Sequence, residues 1–160
     1  MKKTMIHINK VVLTVLMAVT CMACSNADGA FQQFADHFSD TAAFSYTTLG
    51  GRKLMLVSQE VFGNNVNTDL QAIEASIFAQ DTEGKIVALG SIRSQGTLYP
   101  VSVANDKLMV AGHHFVRIYS IRGEVPELVL DTYEEGDGPA LDTLFRTFEQ
   151  ATPLLFEKKH

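Results

Sequence analysis

Two cysteines three apart, one histidine pair and a scatter of carboxylates are the side chains of this chain that could do chemistry. His113 and His114 are adjacent. Neighbouring strand residues point to opposite faces, so the two could share one metal ion only on a turn. The plainer alternative is a pair of turn histidines beside Gly112. His37 falls in a helical segment and His160 at the C-terminus, so no zinc-type spacing arises. Counted from Asp131, a calcium-binding EF-hand loop would place oxygen ligands at positions 1, 3, 5 and 12, with glycine at 6. The chain offers Asp131, Tyr133, Glu135 and Asp142, with Gly136 in the glycine position. Tyr133 brings no carboxylate, and Asp142 is shorter than the usual glutamate. Asp131, Glu135 and Asp142 are therefore the calcium candidates. They compete with a simpler reading, a solvated strand-to-helix loop whose Asp137 favours a helix N-terminus. Asn64–Asp69 is similarly polar, lacks the glycine and reads as a loop.

Nucleophilic catalysis finds no support in spacing. There is no Gly-x-Ser-x-Gly elbow and no Ser-x-x-Lys. Ser91, Ser94, Ser102 and Ser120 fall in or beside strands, where alternate serines commonly face solvent. Paired carboxylates for glycoside cleavage are defined by spatial separation, which a sequence does not give. Glu60, Glu74 and Asp131 are the generic candidates. Gly50-Gly51 precedes a strand, so it cannot cradle phosphate at a helix N-terminus. Tyr99, Tyr119 and Tyr133 could line one groove for sugar or peptide, although rim tyrosines with a wet hydroxyl and a buried ring are commoner. No catalytic residue, resident metal or cofactor is assigned.

The cysteines have a different context. Lys2, Lys3 and Lys10 precede an apolar run, Val11–Ala23, which Cys24-Ser25-Asn26 follows. Basic residues before an apolar stretch stay on the cytoplasmic side during insertion. The run has 13 residues, whereas a spanning helix needs about 20. Cys21-Met22-Ala23 before Cys24 resembles a bacterial lipobox: an aliphatic residue, a small or flexible one, a small one, then cysteine. Ala23 fits the small position, and Cys21 stands where leucine is usual. The resemblance implies a lipoprotein signal over residues 1–23 and acyl chains on Cys24. Lipidation at Cys21, after Thr20, is the less suitable choice. An ordinary secretory peptide cut near Ala23 and an uncleaved anchor are the alternatives. Two or more acyl chains, at about 0.8 kcal/mol per buried methylene, anchor a protein stably. The implied location is the bacterial cell envelope, outside the cytoplasmic membrane, and the outer membrane if the cell is Gram-negative.

The expected mature chain, Cys24–His160, has 137 residues and no second cysteine, so no internal disulfide supports it. Its length is that of one domain, which buries about two-thirds of its unfolded surface. Without Lys2, Lys3 and Lys10, 10 basic residues face 18 acidic ones, a net charge of −8. That balance argues against nucleic acid as a partner and against docking on anionic lipid through a basic face. The expected partners are the membrane, through the N-terminal lipid, and an envelope protein or glycan.

The elements that must position these residues follow from periodicity. Residues 24–29 read as a short tether. Ala30–Thr41 reads as a helix, with Phe31, Phe34, Ala35 and Phe38 on one face and Asp28 able to cap it. From Ala43 to about Thr132 the period becomes two. Strands are predicted over Arg52–Ser58, Leu70–Gln80, Lys85–Ile92, Thr97–Ala104, Lys107–Gly112, Phe115–Ile121 and Glu127–Thr132, with turns at Asp81–Gly84, Asn105-Asp106 and Arg122–Glu124. A turn-and-return unit recurs before Lys53, Lys85 and Lys107, and more loosely at Glu124–Leu130. Each unit is one hairpin. The stretch is too short for a closed propeller, so one curved antiparallel meander of seven or eight strands is expected. Pro139 opens a C-terminal helix with Leu141, Leu144, Phe145 and Phe148 inward, ending before Pro153. Residues 154–160 read as a C-terminal tail, of which Glu157-Lys158-Lys159-His160 is expected to fray. The fold class is α+β, a single domain over 30–153.

Tyr46–Leu56 is similar to a motif of secreted bacterial domains that bind calcium, Tyr-x-x-x-Asp-x-Asp-Gly-Asp-Gly followed by Glu-Leu and a strand. The tyrosine, the glycines and the strand are present. The aspartates are not, so the calcium function does not carry over. The expected function is a lipid-anchored binding or accessory module. An envelope hydrolase using dispersed carboxylates and a calcium-stabilised interaction domain are the alternatives.

Overall fold

Leu54-Met55-Leu56-Val57 and Leu108-Met109-Val110-Ala111 are unbroken apolar runs, and a strand of that kind needs cover on both faces. Each becomes the central strand of a sheet, with all four residues buried. The computed structural model describes residues 28–121, 127–131 and 139–159, without the side chains of 127–131 and 139–141. The chain divides into two compact units, Met1–His37 and Phe38–His160.

In the first unit, helix α1 covers 28–35, shorter than the predicted Ala30–Thr41. Phe31 and Ala35 are buried. The helix ends in a tight turn. Asp36 N–H donates to Gln33 O, and His37 N–H to Phe34 O, both three residues back.

The second unit is mostly β. Strands β1 (Ala43–Leu49) and β2 (Arg52–Ser58) form a hairpin over Gly50-Gly51, both at positive φ. A two-stranded ribbon follows, β3 (Val61–Phe62) with β4 (Gln71–Ala72). Strands β5 (Glu74–Gln80) and β6 (Ile86–Arg93) extend the first sheet. Along β5, Ala75, Ile77 and Ala79 are buried and alternate with half-buried residues, as the period predicts. The second sheet contains β7 (Ser102–Ala104), β8 (Lys107–Gly112), β9 (Phe115–Ser120), β10 (Glu127–Asp131) and β11 (Thr152–Pro153). Its β7–β8 turn places Asn105 and Asp106 at positive φ. The last strand, β12 (Glu157–Lys158), returns to the first sheet. Spatial orders are β12-β1-β2-β5-β6 and β10-β9-β8-β7-β11.

The α+β class and the antiparallel pairing are as predicted, but the single curved meander is not. The strands separate into two five-stranded sheets and the small ribbon. The break falls in 94–101, where a strand from Thr97 is predicted and a loop occurs instead. Ser94 N–H donates to Ile73 O, just before β5, and Gln95 N–H donates to Ala111 O in β8, both at 2.8 Å. The chain therefore changes sheets within two residues. Burial is the physical reason. Leu54, Leu56, Ile77, Leu89 and Ile92 of the first sheet share one core with Val101, Leu108, Val110 and Ile121 of the second half. Each fully buried aliphatic side chain contributes about 1.5–3 kcal/mol, which one continuous open sheet would forgo.

Helix α2 (Pro139–Glu149) starts at the predicted proline. Phe148, Leu144 and Phe145 cover the other face of the second sheet, against Met109, Ala111, Val116 and Ile118. On the first sheet, Phe38 meets Phe44 and Phe78 edge-on, with centroids 5.9 and 5.6 Å apart.

Glu157 and Lys158, expected to fray, instead form strand β12, and the segment before them is tied down as well. Leu154 N–H donates to Val101 O, Phe156 exchanges backbone hydrogen bonds with Leu70, and Lys158 N–H donates to Asn67 O. Phe156 is fully buried in the shared core. This strap links both sheets, because β11 pairs with β7 and β12 with β1.

Candidate functional site

Strand register fixes two ends of the seam between the sheets. At one, the Gly50-Gly51 and Asn105-Asp106 turns meet. Gly50 N–H donates to both Asp106 carboxylate oxygens, at 3.0 and 2.9 Å. A Cβ on Gly50 would lie 2.5 Å from Ile121 O. This end is closed.

At the other end lies a cleft of about 560 Å³, lined by Ile73, Arg93, Ser94, Gln95, Gly96, His114, Phe115 and Arg117. The chain crosses between sheets along one wall, and β9 with its preceding turn makes the other. Gly112 faces Phe115 across β8–β9. A Cβ there would collide with Phe115 Cε1 and with the Gln95 side chain. Glycine thus lets both side chains fold over the strand end. Arg117 stacks on Phe115, its Cζ 4.7 Å from the ring centroid. Arg93 makes a two-pronged ion pair with Glu60, Nη1–Oε1 3.3 Å and Nη2–Oε2 2.8 Å. Gln95 Oε1 accepts from His113 N–H at 3.3 Å, and buried Ser94 Oγ accepts from Ala111 N–H at 3.4 Å. The cleft presents two guanidinium groups, an imidazole and an amide beside an aromatic and an aliphatic wall. Such a surface donates hydrogen bonds to an anion and packs against a carbon skeleton.

The predicted residues fall as follows. Glu60 and Glu74 do come to the same end of the first sheet; the Glu74 carboxylate is held by neighbouring donors, and that of Glu60 pairs with Arg93 on an exposed surface. Glu74 Oε1 accepts from Ser58 Oγ and Gln59 N–H, both at 3.1 Å. Glu60 holds Arg93, and its N–H donates to Ser58 Oγ. Asp131 ends β10 opposite Arg117 in the register. Asp142 is exposed in the first turn of α2, and Glu135 lies outside the described residues, as do Cys21, Cys24 and Tyr133. Among the described residues no cluster of three or more His, Cys, Asp or Glu side chains could hold a metal ion.

The histidine pair sits on the β8–β9 turn, with ring centroids 6.4 Å apart. His113 Nδ1 and the Tyr99 hydroxyl share a 3.2 Å hydrogen bond. Tyr99 and Tyr119 do not share a groove. Tyr99 packs with the α2 cluster on one face of the second sheet, and Tyr119 against the core on the other. Of the four serines expected to face solvent, Ser91 does, while Ser94, Ser102 and Ser120 are buried. Partial burial raises the Tyr46 phenol above its ordinary pKa.

Arg93, Gln95, Phe115 and Arg117 were not singled out by sequence. The available signal was Arg117, a charge two residues from Phe115 and Tyr119 on the inward face of a strand. No protein-family model, no curated protein and no solved structure matches the chain.

Proposed function

We propose that this protein is a lipid-anchored cell-envelope lipoprotein acting as a non-enzymatic binding or accessory module, with its ligand entering the open end of the seam. The observation that carries the anchor is the order Lys2-Lys3, Lys10, Val11–Ala23, Cys24. Among the described residues no helix is long and apolar enough to cross a membrane. The lipid on Cys24 supplies the attachment. Binding is favoured over hydrolysis because Glu74 is engaged by Ser58 Oγ and Gln59 N–H and Glu60 is paired with Arg93, while the cleft beside them is lined by donors and has room for a small ligand.

Two experiments test the reading. Cys24→Ala should abolish labelling by a fatty-acid probe, and Cys21→Ala should leave it intact; labelling that survives Cys24→Ala contradicts the anchor. The purified protein should leave generic ester, glycoside and peptide substrates unchanged. Turnover that disappears in Glu60→Gln or Glu74→Gln would replace the binding reading with the hydrolase.

A further inference from the structure

The geometry points to a small carboxylate-bearing molecule as the ligand of the open-end cleft, bound by taking the place of Glu60 on Arg93. The inference rests on the binding-module reading and narrows it to a ligand class. Arg93 already holds a carboxylate in a two-pronged pair at 2.8 and 3.3 Å, the fork that suits planar carboxylates. Both partners are well exposed, the arginine side chain at 60% and the glutamate at 50%. An ion pair so placed is weak, so a competing carboxylate can displace it at little cost. Glu60 is the built-in occupant of one prong of the site.

The second prong is Arg117. Its Cζ lies 4.7 Å over the Phe115 ring centroid, and a guanidinium is planar and directs its donors within its own plane. Gln95 Oε1 is engaged by His113 N–H, and its amide NH2 adds donors to the same lining. Phe115 and Ile73 offer apolar surface for the ligand's carbon atoms. The cleft volume of about 560 Å³ is that of a small-molecule site. A sugar acid and a short peptide with a free C-terminus both present this chemistry.

The test is calorimetric titration of the full chain in detergent with D-glucuronate, acetyl-alanyl-alanine, D-glucose and inorganic phosphate. Binding of glucuronate or of the peptide, with glucose silent and phosphate weaker, is the expected result, and the tighter of the two carboxylates identifies the source. Arg93→Gln and Arg117→Gln should each weaken that binding at least about tenfold. Glu60→Gln should tighten it about two- to fivefold, because the internal competitor is gone. A merely structural Glu60–Arg93 pair would not give that opposite sign. Glucose binding as well as glucuronate would overturn the carboxylate class while leaving the binding module standing. No binding of either carboxylate, tighter phosphate binding, or weaker binding in Glu60→Gln would each overturn the inference. None of these results depends on the fatty-acid labelling or turnover assays.

Discussion

The two ends of the seam are built from similar parts and behave differently. Each brings a turn of one sheet against a segment of the other, and each relies on a glycine with no room for a Cβ. At the closed end the obstacle to a Gly50 side chain is backbone, Ile121 O, and φ is +59°. At the open end Gly112 faces side chains, Phe115 and Gln95, which can shift. Backbone against backbone makes a lock. Side chain against side chain makes a shape that can adjust to a ligand. The charges follow the same division. Asp106 is committed to an amide of the opposite turn, whereas Glu60 and Arg93 meet on an exposed surface where exchange is easy.

Substitutions can break or sharpen this contrast. The core beneath both ends sets the upper mark: Phe156→Ala should cost about 3–5 kcal/mol in urea denaturation. At the closed end, Gly50→Ala should cost about 2–4 kcal/mol, from the left-handed backbone and the overpacking together. At the open end, Gly112→Ala should cost less, about 1–3 kcal/mol, and should also alter ligand binding. Asp106→Ala should cost about 1 kcal/mol with no effect on binding. Arg93→Gln should change stability by less than about 1 kcal/mol while weakening binding. If Gly112→Ala proved as costly as Gly50→Ala with binding intact, the two ends would be equivalent and the contrast would fail.

Much of the fold was legible in the residues. The hairpins over Gly50-Gly51, Asp81–Gly84 and Asn105-Asp106 were predicted because turn chemistry is local. Strand β8 matches its predicted bounds for the same reason. The division into two sheets was less visible, because it depends on which surfaces cover one another. Its trace was present: Leu54–Val57 and Leu108–Ala111 do not alternate, so each strand needed cover on both faces. A strand predicted from Thr97 missed the crossing loop because Ser94 and Gln95 take partners from different sheets. The strap was missed because Leu154-Leu155-Phe156 is a short apolar run between Pro153 and the charged Glu157-Lys158-Lys159, and the burial of Phe156 is set by Leu70, far away in sequence. The cleft was hardest to foresee. Arg93 and Arg117 lie 24 positions apart on separate sheets, with no motif joining them. Glu60 and Glu74 are generic carboxylates in the sequence, and only the fold brings them to one end of the first sheet, Glu74 onto Ser58 and Gln59 and Glu60 onto Arg93.

The most direct measurement is an amide-resolved NMR titration of the full chain with D-glucuronate, with D-glucose as the control. Shifts should cluster at Arg93–Gly96 and His114–Arg117, saturate, and leave Gly50 and Asp106 unmoved. Shifts centred on the Gly50–Asp106 end, or equal responses to the two sugars, would contradict the account.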